Sequence, residues 1–183
     1  MIARRTALAF LSAAMASPWL ADGAFAEPLT YTLKPEPISP GVWLIRGAQE
    51  AISFTNGGAI ANVAILNTKA GAVVIDTGPS KHCGETLVEL ATELTGKPVA
   101  RVYLTHFYPD HVFGCQGFAA KIVLSTADVA QGLRESGEGF SDSMYRSAGD
   151  WMRGTEVVIP QPPRYSSDAR LAGGDRDHHQ GCV

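Results

Sequence analysis

Three side chains that can bind a metal ion lie close together in residues 105–111, which read THFYPDH. His106 and His111 offer imidazole nitrogens, and Asp110 offers a carboxylate. Zinc accepts this set of donors, and its catalytic sites usually keep three protein ligands and one open position for water. Bound zinc makes that water far more acidic, so hydroxide becomes available for hydrolysis at neutral pH. Two histidines in one loop are more often polar surface, so spacing alone only suggests this chemistry.

The residues before the motif predict the elements that position it. Residues 99–104 predict a strand that leads directly into the motif, and residues 72–75 predict a buried strand that ends at Asp76. Between them, residues 85–94 have the spacing of an amphipathic helix, with Gly96 as its C-terminal stop. This β-α-β unit favours parallel neighbouring strands. The motif then falls at the carboxyl end of a strand, where loops line a crevice.

The rest of the chain predicts further elements of a mixed sheet with helices. Residues 27–41 are Pro-rich and are expected to form an extended lead-in. The other predicted elements are strands at 42–46, 59–66 and 122–124, a motif loop at 105–118, and helices at 126–134 and 143–152 separated by a Gly- and Ser-containing stretch.

The first 26 residues predict a cleaved export signal. Arg4 and Arg5 give a positive start, residues 7–20 a short apolar stretch, and residues 24–26 an Ala-x-Ala cleavage site. The apolar stretch is shorter than the ~20 residues needed to cross a bilayer, so no integral membrane segment is expected after cleavage. We expect a periplasmic or secreted protein, with Sec and twin-arginine export both open.

Charge and cysteine content exclude other classes of function. The net charge is −3 and no run of Lys and Arg occurs, so a nucleic-acid partner is not expected. Cys83, Cys115 and Cys182 form no Cys-x-x-Cys pair, which argues against a thiolate zinc site. We expect Cys83 and Cys115 to be small, partly buried residues.

The motif and its surroundings resemble the metallo-β-lactamase superfamily, whose signature is Thr-His-x-His-x-Asp-His. The Asp-Thr-Gly turn at residues 76–78 lies about 30 residues upstream, and the motif leads into DHVFG at residues 110–114. The resemblance covers about residues 42–160 and is greatest to exported metallohydrolases that accompany quinoprotein dehydrogenases. It implies an α+β fold, the four-layer αβ/βα sandwich of two mixed sheets with helices outside, of which this chain would form the N-terminal half.

The resemblance also implies roles for single residues and a cofactor of one or two zinc ions. His106 would bind the first zinc, and Asp110 and His111 the second. Asp110 would also be catalytic, because it would orient the attacking water. Asp76 would hold the ligands in place by hydrogen bonds to the loop. Simple turn formation is the alternative reading of Asp76.

Tyr108 stands where the signature has its second histidine. A phenol carries its proton at neutral pH, so it binds zinc less readily than an imidazole. We expect one ligand to be lost and the first metal site to be weakened, with an ionised tyrosine ligand as the alternative.

The resemblance places the remaining ligands and the second sheet in a later half, so the domain at 42–165 is expected to be partial and truncated. Residues 166–183 are expected to be an aberrant tail in which His178 and His179 are not ligands. Shifted by one base, the codons of residues 175–179 encode β-branched residues typical of a strand. This predicts a frameshift near Gly174.

The sequence therefore predicts an exported zinc-dependent hydrolase that is impaired by Tyr108 and by the missing half. Two alternatives stay open, because a fold does not fix a function. One is a non-catalytic remnant, and the other is a periplasmic accessory or binding protein.

Overall fold

A computed structural model describes residues 29–160. The predicted export signal (1–26) and the predicted tail (166–183), with Gly174, His178, His179 and Cys182, lie outside these residues. The strands are β1 (Pro35–Ser39), β2 (Val42–Ile45), β3 (Val63–Thr68), β4 (Gly71–Ile75), β5 (Val99–Leu104) and β6 (Val123–Ser125). The α-helices are α1 (Lys81–Thr95), α2 (Pro109–Val112) and α3 (Ala127–Ala148), and short 3-10 turns cover Phe113–Gly117, Ala120–Ile122 and Gly149–Met152.

The six strands form one mixed sheet in chain order from β1 to β6. Neighbours from β1 to β4 run antiparallel, whereas β4, β5 and β6 run parallel. The predicted mixed sheet and the parallel β-α-β unit are thus confirmed. Strand β1 comes from the expected lead-in and lies at the sheet edge. Pro35 and Pro37 have no N–H to donate, and an edge strand tolerates this because one of its sides has no partner strand.

Helix α1 begins four residues before its predicted start, because Ser80 caps it. The Ser80 side chain accepts a hydrogen bond from the Cys83 amide at 3.2 Å, and it also shares a 2.9 Å hydrogen bond with the Tyr31 hydroxyl. Such a cap satisfies one of the free amides at a helix N-terminus. The predicted stop at Gly96 is confirmed, because Gly96 has the left-handed conformation with φ of 66°.

The prediction of two helices at 126–134 and 143–152 is wrong. One helix, α3, runs through the Gly- and Ser-containing stretch from Ala127 to Ala148, and a 3-10 turn follows it. Its buried residues keep helical spacing across the expected break, and Gly137 is one of them. A Cβ on Gly137 would lie 2.6 Å from Val157. This glycine therefore serves close packing, and packing outweighs low helix propensity.

Two smaller predictions also differ from the observed elements. The strand predicted at 59–66 forms at Val63–Thr68 instead. Residues 59–62 are occupied by turn contacts, including the hydrogen bond from the Ala48 amide to the Ala59 carbonyl at 2.9 Å. The predicted motif loop contains α2 and a 3-10 turn, because Pro109 suits the first position of a helix.

The core lies on one face of the sheet, under α1. Helix α1 packs across β3, β4 and β5, and its Leu87 and Ala91 join Ile65, Val74 and Val102 in the core. Cys83 and Cys115 are both free, and they are fully buried where partial burial was expected. Burial raises the pKa of each thiol to about 12, so neither is a reactive nucleophile at neutral pH. Within residues 29–160, no helix has the length and apolarity needed to cross a membrane.

A close approach of two glycines joins α1 to the segment after α2. A Cβ on Gly84 would lie 1.9 Å from the Gly114 carbonyl oxygen, whereas a Cβ on Gly139 in α3 would meet nothing within 4 Å. We expect Gly84→Ala to lower the free energy of unfolding by about 1–3 kcal/mol or more, because backbone must move. Gly139→Ala, the matched control, should raise it by up to about 1 kcal/mol through helix propensity. Urea denaturation measures both, and equal effects would contradict the packing.

Candidate metal site

Asp76 is the centre of a hydrogen-bonded cluster at the carboxyl ends of β4 and β5. Its carboxylate accepts from the Thr105 amide at 2.8 Å, from the Thr105 hydroxyl at 2.7 Å and from His111 Nδ1 at 2.9 Å. Asp76 is 3% exposed, and it has a φ of 64°, the left-handed conformation that Asp tolerates better than most residues. It therefore shapes the turn and also joins the two halves of the motif.

Helix α2 is fixed to the turn that follows β4 by backbone contacts. The Thr77 amide and hydroxyl both donate to the His111 carbonyl, at 2.8 and 2.9 Å. The Gly114 amide donates to the Gly78 carbonyl at 2.9 Å, and a Cβ on Gly114 would lie 1.9 Å from the Thr77 carbonyl oxygen. The Asp-Thr-Gly turn thus sets the position of the helix that carries Asp110 and His111.

The His111 ring lies between two carboxylates. Because a carboxylate only accepts, Nδ1 carries the proton that is donated to Asp76, so in the neutral imidazole Nε2 has the free lone pair. Nε2 lies 3.5 Å from Oδ2 of Asp110, so an imidazole nitrogen and a carboxylate oxygen converge on one point. The bond to Asp76 raises the pKa of His111, and Asp110 adds to this. A metal ion bound at this point would take the place of the proton that the ring and the carboxylate otherwise share.

His106 lies nearby but makes aromatic contacts instead of joining that pair. Its ring centroid is 5.4 Å from that of His111 and 4.6 Å from that of Tyr108. Tyr108 is 48% exposed, and its ring meets Phe140 of α3 edge-on at 5.8 Å. The ring of Phe107 also stacks on Phe140, at 6.3 Å. The loop from β5 to α2 is therefore held by ring contacts with Phe140 of α3.

The donors fit zinc in chemistry but not in number. An imidazole nitrogen whose other ring nitrogen binds a carboxylate is a usual zinc ligand, and the His111–Asp76 pair has this form. Across residues 29–160, however, no group of three or more His, Cys, Asp or Glu side chains is arranged to hold a metal ion. Of the residues predicted to form the site, the structure brings Asp76, Asp110 and His111 together and leaves His106 beside them.

Sequence reasoning missed two contributors to this site. Phe140 falls in the stretch expected to separate two helices, so no pattern placed it near the motif. Gly132 receives the ring of Phe107, since a Cβ there would lie 2.5 Å from that ring. The three-and-four spacing of the buried residues of α3 is the signal that could have found them.

Comparison with known proteins agrees with this fold. The family model described as the metallo-beta-lactamase superfamily matches residues 56–179, more than half of the chain, so the chain belongs to this superfamily. A metallo-beta-lactamase from Pseudomonas aeruginosa, solved in a mono-zinc form, is 18% identical with a TM-score of 0.50, over 61% of this chain and 50% of that one. A metallo-beta-lactamase from Hirschia baltica is 18% identical with a TM-score of 0.48, over 57% of this chain and 48% of that one.

One further relative matches this chain over a short segment only. A linear primary-alkylsulfatase from Pseudomonas sp. (strain ATCC 19151) is 25% identical over 65 residues, which is 36% of this chain and 12% of that protein. The chain thus spans about half the length of the solved structures it matches and a small part of the alkylsulfatase. The family model and the structure with a TM-score of 0.50 support a hydrolase-like metallo-beta-lactamase fold of the α+β class.

Proposed function

We propose that this chain carries the ligand loop of an exported, zinc-dependent hydrolase with a weakened metal site. His106, Asp110 and His111 are the proposed ligands, and the substrate is a small molecule. The observation that carries the proposal is the His111 ring, which Asp76 fixes from behind while Nε2 faces the Asp110 carboxylate.

The residues of the chain divide the work of such a site. Asp76 holds the His111 tautomer and, through Thr105, the end of β5. Asp110 supplies an oxygen that can bind metal or orient a water molecule by accepting its hydrogen bond. Zinc, when bound, would supply a Lewis acid and an activated water for attack on a carbonyl or similar centre.

Tyr108 is the proposed cause of weak metal binding. It occupies the signature's second histidine position, and its ring contacts His106 and Phe140 instead of Asp110 or His111. His106, Asp110 and His111 are not arranged as a three-ligand site, so His106, whose ring packs on Tyr108, would have to reorient to complete one. This rearrangement reduces the affinity for zinc relative to a site whose ligands are already in place.

Zinc affinity, measured by competition with a chromogenic chelator, tests the proposal. We expect the wild-type chain to bind one zinc ion, and His111→Ala to lose at least about tenfold in affinity. His82→Ala is the control, because His82 lies on α1 outside the motif, and it should bind like the wild type. Absence of zinc binding, or equal loss in both variants, would favour the non-catalytic alternative.

A further inference from the structure

A pocket of about 350 Å³ lies beside Lys81, the first residue of α1. Its other walls come from the 3-10 turn after α2, from the start of β6 and from residues 158–160. Pockets that bind small molecules have volumes of about 300–1,000 Å³, so this pocket has room for a small ligand. None of the described residues that line it belongs to the candidate metal site.

Apolar side chains form most of the lining of this pocket. Phe118 and Val123 belong to the hydrophobic core and are 7% and 5% exposed. Ile159 packs against the same core, and Val158 stands at the surface with 37% exposure. The pocket therefore leads from solvent to the edge of the core, where an apolar group is stabilised in proportion to the area that it buries.

The polar groups of the pocket that are free to meet a ligand are hydrogen-bond donors. The side-chain oxygen of Gln116 accepts from the Glu156 amide at 2.7 Å, whereas its NH₂ group has no partner among residues 29–160. The Lys81 ammonium lies 3.8 Å from Glu85, and both side chains are nearly half-exposed, so this pair contributes little. Among the described residues that line the pocket, none is acidic.

These donors lie toward one end of the pocket. The Lys81 amide donates to Thr155 Oγ1 at 3.0 Å, and the next residue, Glu156, donates to Gln116. Both bonds hold the start of a segment that continues into the apolar lining at residues 158–160. The pocket thus has a polar end with one positive charge and an apolar end against the core.

We propose that this pocket binds a small carboxylate that carries an apolar hydrocarbon chain. A carboxylate only accepts hydrogen bonds, so it complements two donors of which one is cationic. Its oxygens meet Lys81 and Gln116, and its hydrocarbon chain packs against Phe118, Val123 and Ile159. The inference goes beyond the proposed function and is independent of it, because it uses no metal ion and no residue of the candidate metal site.

Isothermal titration calorimetry of the protein with n-octanoate, with no metal added, tests this inference. We expect one octanoate to bind per protein with a Kd of about 1 mM or lower. The alcohol n-octanol has the same hydrocarbon chain without the charge. We expect it to bind at least about threefold more weakly, because a charge-assisted hydrogen bond is stronger than a neutral one.

Two pairs of variants locate the ligand. Lys81→Met should remove the preference for octanoate over octanol, whereas Lys121→Met should keep it, because Lys121 is exposed and outside the lining. Ala120→Phe should abolish the binding of both ligands, since its ring would fill the pocket from an exposed lining position. Ala119→Phe is the control, because Ala119 is exposed and does not line the pocket, and it should bind like the wild type. Circular dichroism checks that all four variants fold.

A folded wild type that binds no octanoate would overturn the inference. Binding of octanoate by Ala120→Phe at the affinity of the wild type would do the same, because the ligand would then lie elsewhere. A preference for octanoate that survives Lys81→Met would contradict the assignment of the carboxylate to the polar end of the pocket.

Discussion

Replacing Asp76 with alanine is expected to lower the free energy of unfolding by about 3 kcal/mol or more. The carboxylate is buried and accepts three hydrogen bonds, two from Thr105 and one from His111. Hydrogen bonds to charged groups contribute about 1.5–3 kcal/mol each, although losses at one site do not simply add. Alanine also has no side chain to stabilise the left-handed backbone at this position, where φ is 64°. Urea denaturation measures the loss.

Asp76→Asn separates structural support from control of the ligand. Asparagine tolerates the same backbone conformation, and its amide oxygen can accept from the Thr105 amide. Its NH₂ group would donate to His111 Nδ1, which would move the ring proton to Nε2 and block metal binding there. We expect a much smaller loss of stability than in Asp76→Ala, but a loss of about 10–100-fold in zinc affinity. Unchanged zinc affinity in a folded Asp76→Asn variant would show that Asp76 has only a structural role.

Tyr108→His is expected to raise zinc affinity by at least about tenfold, which corresponds to about 1.4 kcal/mol. The substitution places an imidazole on the loop beside His106, whose ring is 4.6 Å from that of Tyr108. Histidine is a far better zinc ligand than a protonated phenol at neutral pH. Since Tyr108 is half-exposed, the change should cost little stability. The measurement is chelator competition at fixed pH.

Tyr108→Phe is the matched control for that gain. It keeps a ring that can meet Phe140 and removes only the hydroxyl. We expect zinc affinity close to that of the wild type. If Tyr108→Phe binds zinc much more weakly, the phenol oxygen is itself a ligand. If Tyr108→His shows no gain, His106 and its neighbours do not act together as a metal site.

The elements that carry the motif were predictable because their signals are local. Strand β5 was predicted at its observed bounds, and the left-handed stop at Gly96 was predicted from the residue type alone. The pairing of β4 with β5 followed from the helix between them. From the sequence alone, these features place Asp76 and His106 directly after neighbouring parallel strands.

The contacts that define the site depend on side chains distant in sequence, and no local pattern encodes them. The break predicted in α3 rested on Gly and Ser content, whereas Gly137 in that stretch allows the close approach of Val157. Phe140 was therefore missed as the residue that holds the Tyr108 ring. The hydrogen bond from His111 to Asp76 spans 35 residues, and only the fold brings the two together.

Imidazole nitrogen spectroscopy of the chain, with and without zinc, tests the central claim most directly. The five histidines can be resolved by long-range ¹H–¹⁵N correlation, and His111→Gln assigns the signal of interest. We predict a His111 ring protonated at Nδ1 at a pH above its raised pKa, with Nε2 as the nitrogen whose resonance moves when zinc is added. A ring protonated at Nε2, or a His111 signal that zinc leaves unchanged, would contradict the claim that Asp76 presents His111 to a metal ion.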